Sequence, residues 1–62
     1  NKSLVAGGDI PVGTELTEEQ IFAMRPIKLS GGLPANRVSD VIGKISKRTF
    51  AKYDPITEKD IS

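Results

Sequence analysis

The chain has 62 residues and contains no cysteine, no histidine and no tryptophan. Without cysteine there is no disulfide, no thiolate nucleophile and no sulfur ligand for a metal. That lack also fits a reducing compartment, and a cytoplasmic setting is expected. Without histidine, the commonest general base at neutral pH and the commonest metal ligand are both missing. The aromatic residues are two phenylalanines and one tyrosine, too few for a surface that stacks nucleobases. A net charge of +1 gives little pull toward nucleic acid or an anionic membrane. No apolar run approaches the ~20 residues of a membrane-spanning helix, and no signal-peptide pattern opens the chain. Partners from either class are not expected. The chain starts at Asn1 rather than at a methionine, and the simplest account is one domain, residues 1–62, cut from a longer protein or left by processing.

What is present is a repeat. Ile10-Pro11-Val12-Gly13-Thr14-Glu15-Leu16-Thr17-Glu18-Glu19-Gln20-Ile21 has a second copy in Phe50-Ala51-Lys52-Tyr53-Asp54-Pro55-Ile56-Thr57-Glu58-Lys59-Asp60-Ile61. The identities are Thr17/Thr57, Glu18/Glu58 and Ile21/Ile61, with apolar partners Ile10/Phe50 and Leu16/Ile56. Upstream, Leu4-Val5-Ala6 aligns with Lys44-Ile45-Ser46. Each copy reads as a short strand, a turn, an apolar residue and a threonine suited to cap a single helical turn. Thr17 with Gln20 has the form of a capping box, and Thr57 with Asp60 a weaker one. Neither unit is large enough to hold a core alone. Related by a pseudo-twofold axis, the two would bury Leu16, Ile21, Ile56 and Ile61 together. At the turn, Tyr53 stands where the first copy has Gly13, so a positive φ there would strain it.

Between the copies, Ile21-Phe22-Ala23-Met24-Arg25 reads as a strand with Phe22 and Met24 in the core. Pro26 imposes an extended conformation on Arg25. Ile27 to Pro34 reads as a loop, with Leu29 and Leu33 pinned to the body. Ala35 to Gly43 reads as a short helix that turns Val38, Val41 and Ile42 inward and stops at Gly43. In Lys44 to Phe50, Ile45 is expected inward and the basic residues outward.

Catalysis by this chain alone is not expected. Its serines and threonines lack a base, its carboxylates suit first helical turns, and no metal-binding or phosphate-loop spacing is present. Lys44, Lys47, Arg48 and Lys52 lie close in sequence, as a solvated face or as a site for an anionic sugar or phosphate. Arg25 stands apart, at the end of an apolar stretch and at the start of the longest loop. It is either a surface arginine resting its stem on the body or a recognition group that offers a planar fork of donors.

Ser3-Leu4-Val5-Ala6, Asp9-Ile10-Pro11-x-Gly13, Leu16-Thr17, Met24-Arg25-Pro26 and Val41-Ile42-Gly43-Lys44 resemble the C-terminal antifreeze-like, or SAF, domain of sialic acid synthases, a module related to the type III antifreeze proteins. The resemblance implies a mainly β, β-clip fold of short strands with pseudo-twofold symmetry and one or two short helical turns. It also implies a parent enzyme that condenses phosphoenolpyruvate with an N-acylated amino sugar. Catalysis and a divalent metal would belong to a separate (β/α)₈ barrel, and this domain would bind no cofactor. In a swapped homodimer it would cover the partner subunit's barrel, and Arg25, by position, would reach the sugar. The sequence departs from the family pattern after Arg25-Pro26, where Ile27 replaces the usual glycine and the loop is longer. An ice-binding role is the alternative, but Asp9, Glu15, Glu18 and Glu19 put hydrated carboxylates on or near the corresponding surface. A SAF module of another carbohydrate-related parent is a third.

Overall fold

The computed structural model describes residues 2–25 and 31–62. Ser3–Ala6 forms strand β1 and Ile21–Met24 forms β2. They pair antiparallel, with Ser3 opposite Met24 and Ala6 opposite Ile21. Elsewhere the extended segments meet in single bridges: Ser3 with Pro34, Val5 with Pro55, Ile10 with Phe50, Glu15 with Ile45 and Ser46 with Ile61. Turn residues recur every few positions and stop the ladders from lengthening. Three 3₁₀ turns complete the described chain, at Glu18–Gln20, Ala35–Asp40 and Glu58–Asp60. The expected mainly β fold of short strands is therefore found, with three helical turns in place of one or two.

The repeat is visible in the backbone hydrogen bonds. Ile10 and Phe50 exchange a reciprocal pair, at 2.9 and 2.8 Å, across the pseudo-twofold axis. Around it, bonds recur with every residue shifted by the repeat. The Gly13 amide donates to the Ser46 carbonyl and the Tyr53 amide to that of Ala6. Leu16 donates to Lys44 as Ile56 does to Leu4, and Ser46 donates to Thr14 as Ala6 does to Asp54. Gly7 donates to Gln20 as Lys47 does to Asp60. Each half thus lends its strand to the other half's turn.

Side chains solve the same turn in two ways. In the first copy Pro11 has no N–H, and the Thr14 hydroxyl donates to the Pro11 carbonyl at 2.6 Å. In the second, Ala51 keeps its N–H and donates it to the Asp54 carboxylate at 2.9 Å. The residue between is left-handed in both, with φ 87 at Gly13 and φ 71 at Tyr53. The tyrosine therefore bears the strain expected of it, of about 1–2 kcal/mol. The capping box also forms, with Gln20 Oε1 accepting from the Thr17 amide at 3.0 Å.

Leu4, Ala6, Ile10, Leu16, Ile21, Val41, Phe50, Ile56 and Ile61 make one core, so the four repeat positions Leu16, Ile21, Ile56 and Ile61 meet as expected. β1 is buried along its whole length because it has neighbours on both edges. β2 lies on one side, while Leu33 and Asp54 accept from Leu4 and Ala6 on the other.

Four inward assignments fail. Phe22 is 44% exposed and Met24 is half-buried, while Ile21 on the opposite face enters the core. β2 is an edge strand, and the Phe22 ring lies against Gly7, where an added Cβ would come within 2.8 Å of it. Ile45 is 40% exposed and Ser46 is buried. Ser46 occupies the place of the buried Ala6, and its hydroxyl donates to the Pro11 carbonyl and accepts from the Thr14 amide. Ile42 is exposed because Ala35–Asp40 is a 3₁₀ helix. Its threefold period aligns Ala35, Val38 and Val41 and turns the next residue outward. Leu33 packs against the core as expected; the anchoring of Leu29 lies outside the described residues.

Candidate functional site

The site is built at one end of β1. Ser3 faces Met24 on one edge and bridges to Pro34 on the other. The chain therefore leaves this end at Arg25, on one side of β1, and has rejoined it by Leu33 on the other. The return is tightly held. The Leu33 amide donates to the Ile56 carbonyl and the Leu4 amide to that of Leu33, both at 2.8 Å. The Ala35 amide donates to the Lys2 carbonyl at 2.9 Å. Gly32 passes so close to the strand that an added Cβ would sit 2.6 Å from the Leu4 carbonyl oxygen.

Arg25 follows directly on the last residue of β2 and is exposed. The ion pairs among the described residues are Arg37–Asp40, Arg48–Asp54 and Arg48–Asp60, and none involves Arg25. No carboxylate among the described residues clamps its guanidinium inward.

Arg48 is the opposite case. It separates from the supposed basic cluster, whose lysines 44, 47 and 52 are exposed. Its Nε lies 3.2 Å from Asp60 Oδ1, and it stacks 4.3 Å from the centre of the Phe50 ring. Its remaining donors reach the carbonyls of Thr49 and Pro55. Asp60, 9% exposed, also accepts from the Thr57 hydroxyl at 2.6 Å. Burial works to raise the Asp60 carboxyl, but the Thr57 hydrogen bond and the Arg48 charge outweigh it and hold the group below its ordinary range. These residues fasten the second copy rather than face a ligand. The one sequence signal for this role is the repeat itself: Arg48 falls where the first copy has Gly8, and Asp60 where it has Gln20.

Glu15, Glu18 and Glu19 are exposed around Thr14 and Thr17. A shallow concavity of about 510 Å³ lies beside the C-terminal segment, with Leu33, Ile42 and Ile61 in its lining and Arg37, Asp40 and Glu58 among its charged groups. Among the described residues no three metal-ligating side chains gather, and no helix is long and apolar enough to cross a membrane.

No curated protein sequence matches the chain. Among solved structures, an antifreeze-protein-like domain in the human N-acetylneuraminic acid phosphate synthase gene, determined in solution, is similar at 28% identity with a TM-score of 0.85. The match covers 97% of this chain and 73% of that one. The model of the SAF domain family matches residues 1–62. This chain, with its two interlocked half-repeats, belongs to the SAF domain family.

Proposed function

We propose that the chain is the substrate-capping domain of a sialic-acid-synthase-like enzyme, which joins phosphoenolpyruvate to an N-acylated amino sugar. In this reading the domain lies over the catalytic barrel of the partner subunit in a homodimer, and Arg25 reaches the sugar. Bond making and the divalent metal belong to the barrel, and this chain supplies orientation and exclusion of water. The observation that carries the reading is the exposed Arg25, unpaired among the described residues at the end of β2, in a SAF-family chain. A guanidinium projecting from a strand end offers its fork of donors to a hydroxyl, carbonyl or carboxylate. β2 ends at the residue before Arg25 and fixes where its stem starts, so the ordering left to binding is that of the side chain.

The test is Arg25→Ala in the intact protein that carries this domain. Loss of charged hydrogen bonds to the sugar is expected to lower kcat/KM for the amino sugar by about tenfold to a hundredfold. The unfolding midpoint should stay put, since no described contact is lost. Unchanged kinetics would rule out the role given to Arg25.

A further inference from the structure

We infer that Lys2 and Arg25 together form an oxyanion site, which takes a phosphoryl or carboxylate group of the capped substrate. The inference rests on the capping role for the identity of its ligand, but not for the existence of the site. Ser3 opposite Met24 is the last pair of the sheet. One register step beyond it stand Lys2 and Arg25, both exposed. Cations placed directly across a strand pair repel, and an anion between them turns the repulsion into attraction. Among the described residues no ion pair supplies that anion to either cation. Of the segments that build this end, residues 2–5, 22–25 and 31–36 contain no aspartate or glutamate, and the fourth, Pro55-Ile56, is flanked by Asp54, which pairs with Arg48, and by Glu58. The acids of the neighbouring concavity are directed elsewhere: Asp40 pairs with Arg37, and Glu58 adds to the field on the same arginine. The Lys2 backbone is fastened by the bond from Ala35, so its ammonium starts from a fixed point. A hard ammonium beside a planar guanidinium suits a phosphate monoester, with point charge from one and paired hydrogen bonds from the other. The anion has two possible sources, a phosphorylated acceptor sugar or phosphoenolpyruvate.

A related domain has been determined alone in solution, so the chain itself serves for the test. Its α-amino group is acetylated so that the terminal charge cannot mimic Lys2. Amide NMR spectra are then followed on adding inorganic phosphate, N-acetylglucosamine, N-acetylglucosamine 6-phosphate or phosphoenolpyruvate. Saturable shifts are expected at residues 2–5, 22–25 and 33–35 with the anions, weakening as salt rises past about 0.1 M. Lys2→Gln should weaken anion binding about threefold to tenfold and leave the response to neutral sugar unchanged. A preference for the sugar phosphate assigns the anion to the acceptor, and a preference for phosphoenolpyruvate assigns it there; both support the site. An absence of saturable shifts with every anion, or anion shifts indifferent to Lys2→Gln, overturns it. The Arg25→Ala kinetics judge the capping role separately: a kinetic loss there without an anion response here removes the oxyanion site and leaves the lid.

Discussion

Gly32→Ala tests how closely the chain packs against β1 where it rejoins it. An alanine Cβ would lie 2.6 Å from the Leu4 carbonyl oxygen, about 0.8 Å inside the 3.4 Å at which ordinary contact begins. That oxygen cannot swing aside as a side chain would, because it accepts from Ile56 at 3.0 Å. Retreat of residue 32 instead strains two adjoining bonds, Leu33 to Ile56 and Leu4 to Leu33. Overpacking costs about 1–3 kcal/mol, and two weakened hydrogen bonds add about 1 kcal/mol each. The stiffer unfolded chain returns about 0.4–1 kcal/mol. The net loss is about 2–5 kcal/mol, against a total of roughly 3–9 kcal/mol for a chain of this length. With a urea slope of about 1 kcal/mol/M, the midpoint followed by circular dichroism should fall by about 2 M or more. Gly8→Ala is the control, because a Cβ there meets nothing within 4 Å. It should be neutral or stabilising by up to about 1 kcal/mol. A Gly32→Ala protein as stable as the parent would refute the close approach.

The Asp60 carboxyl is held below its unfolded value of about 3.9, so its stabilisation is complete above that pH and drains away as pH falls through the lower folded value. Urea midpoints measured from about pH 6 down to about pH 2 should drop less steeply in Asp60→Asn than in the parent, and equal slopes would show that the carboxylate is not linked to folding. At position 53 the left-handed backbone should make Tyr53→Gly more stable than Tyr53→Ala by about 1 kcal/mol in thermal melts. The converse holds at Gly13, where nothing crowds an added Cβ, so Gly13→Ala should cost about 1 kcal/mol through torsion alone. An alanine at either site that matched its glycine would remove the case for strain.

The repeat was readable because Thr17/Thr57, Ile21/Ile61 and Leu16/Ile56 occupy positions where packing and turn geometry admit few residue types. It carried the architecture, the core quartet and the strained Tyr53. The failures share another cause. Alternation turns Phe22, Met24 and Ile45 inward only in a sheet with one wet and one dry face. Among the described residues β1 is enclosed on both edges, β2 is paired along one, and the other extended segments meet in single bridges. A 3.6-residue period turns Ile42 inward, and the 3₁₀ turn does not follow that period. Arg48 looked like its neighbouring lysines, because its partner Asp60 lies twelve positions away and no local pattern joins them. Arg25 could be singled out because Pro26 marks a chain exit, whereas Lys2 acquires meaning only from the strand register.

The exchange of strands between the halves has a kinetic side. Neither half can complete its own hydrogen bonding, so a chain severed in the connecting segment should leave two unstructured peptides that regain order only on mixing. Partial unfolding of one copy would strip the other, which makes the transition all-or-none. Because the pairings join residues some thirty to fifty positions apart, the search for them should be slow for so small a protein, in milliseconds to seconds rather than microseconds.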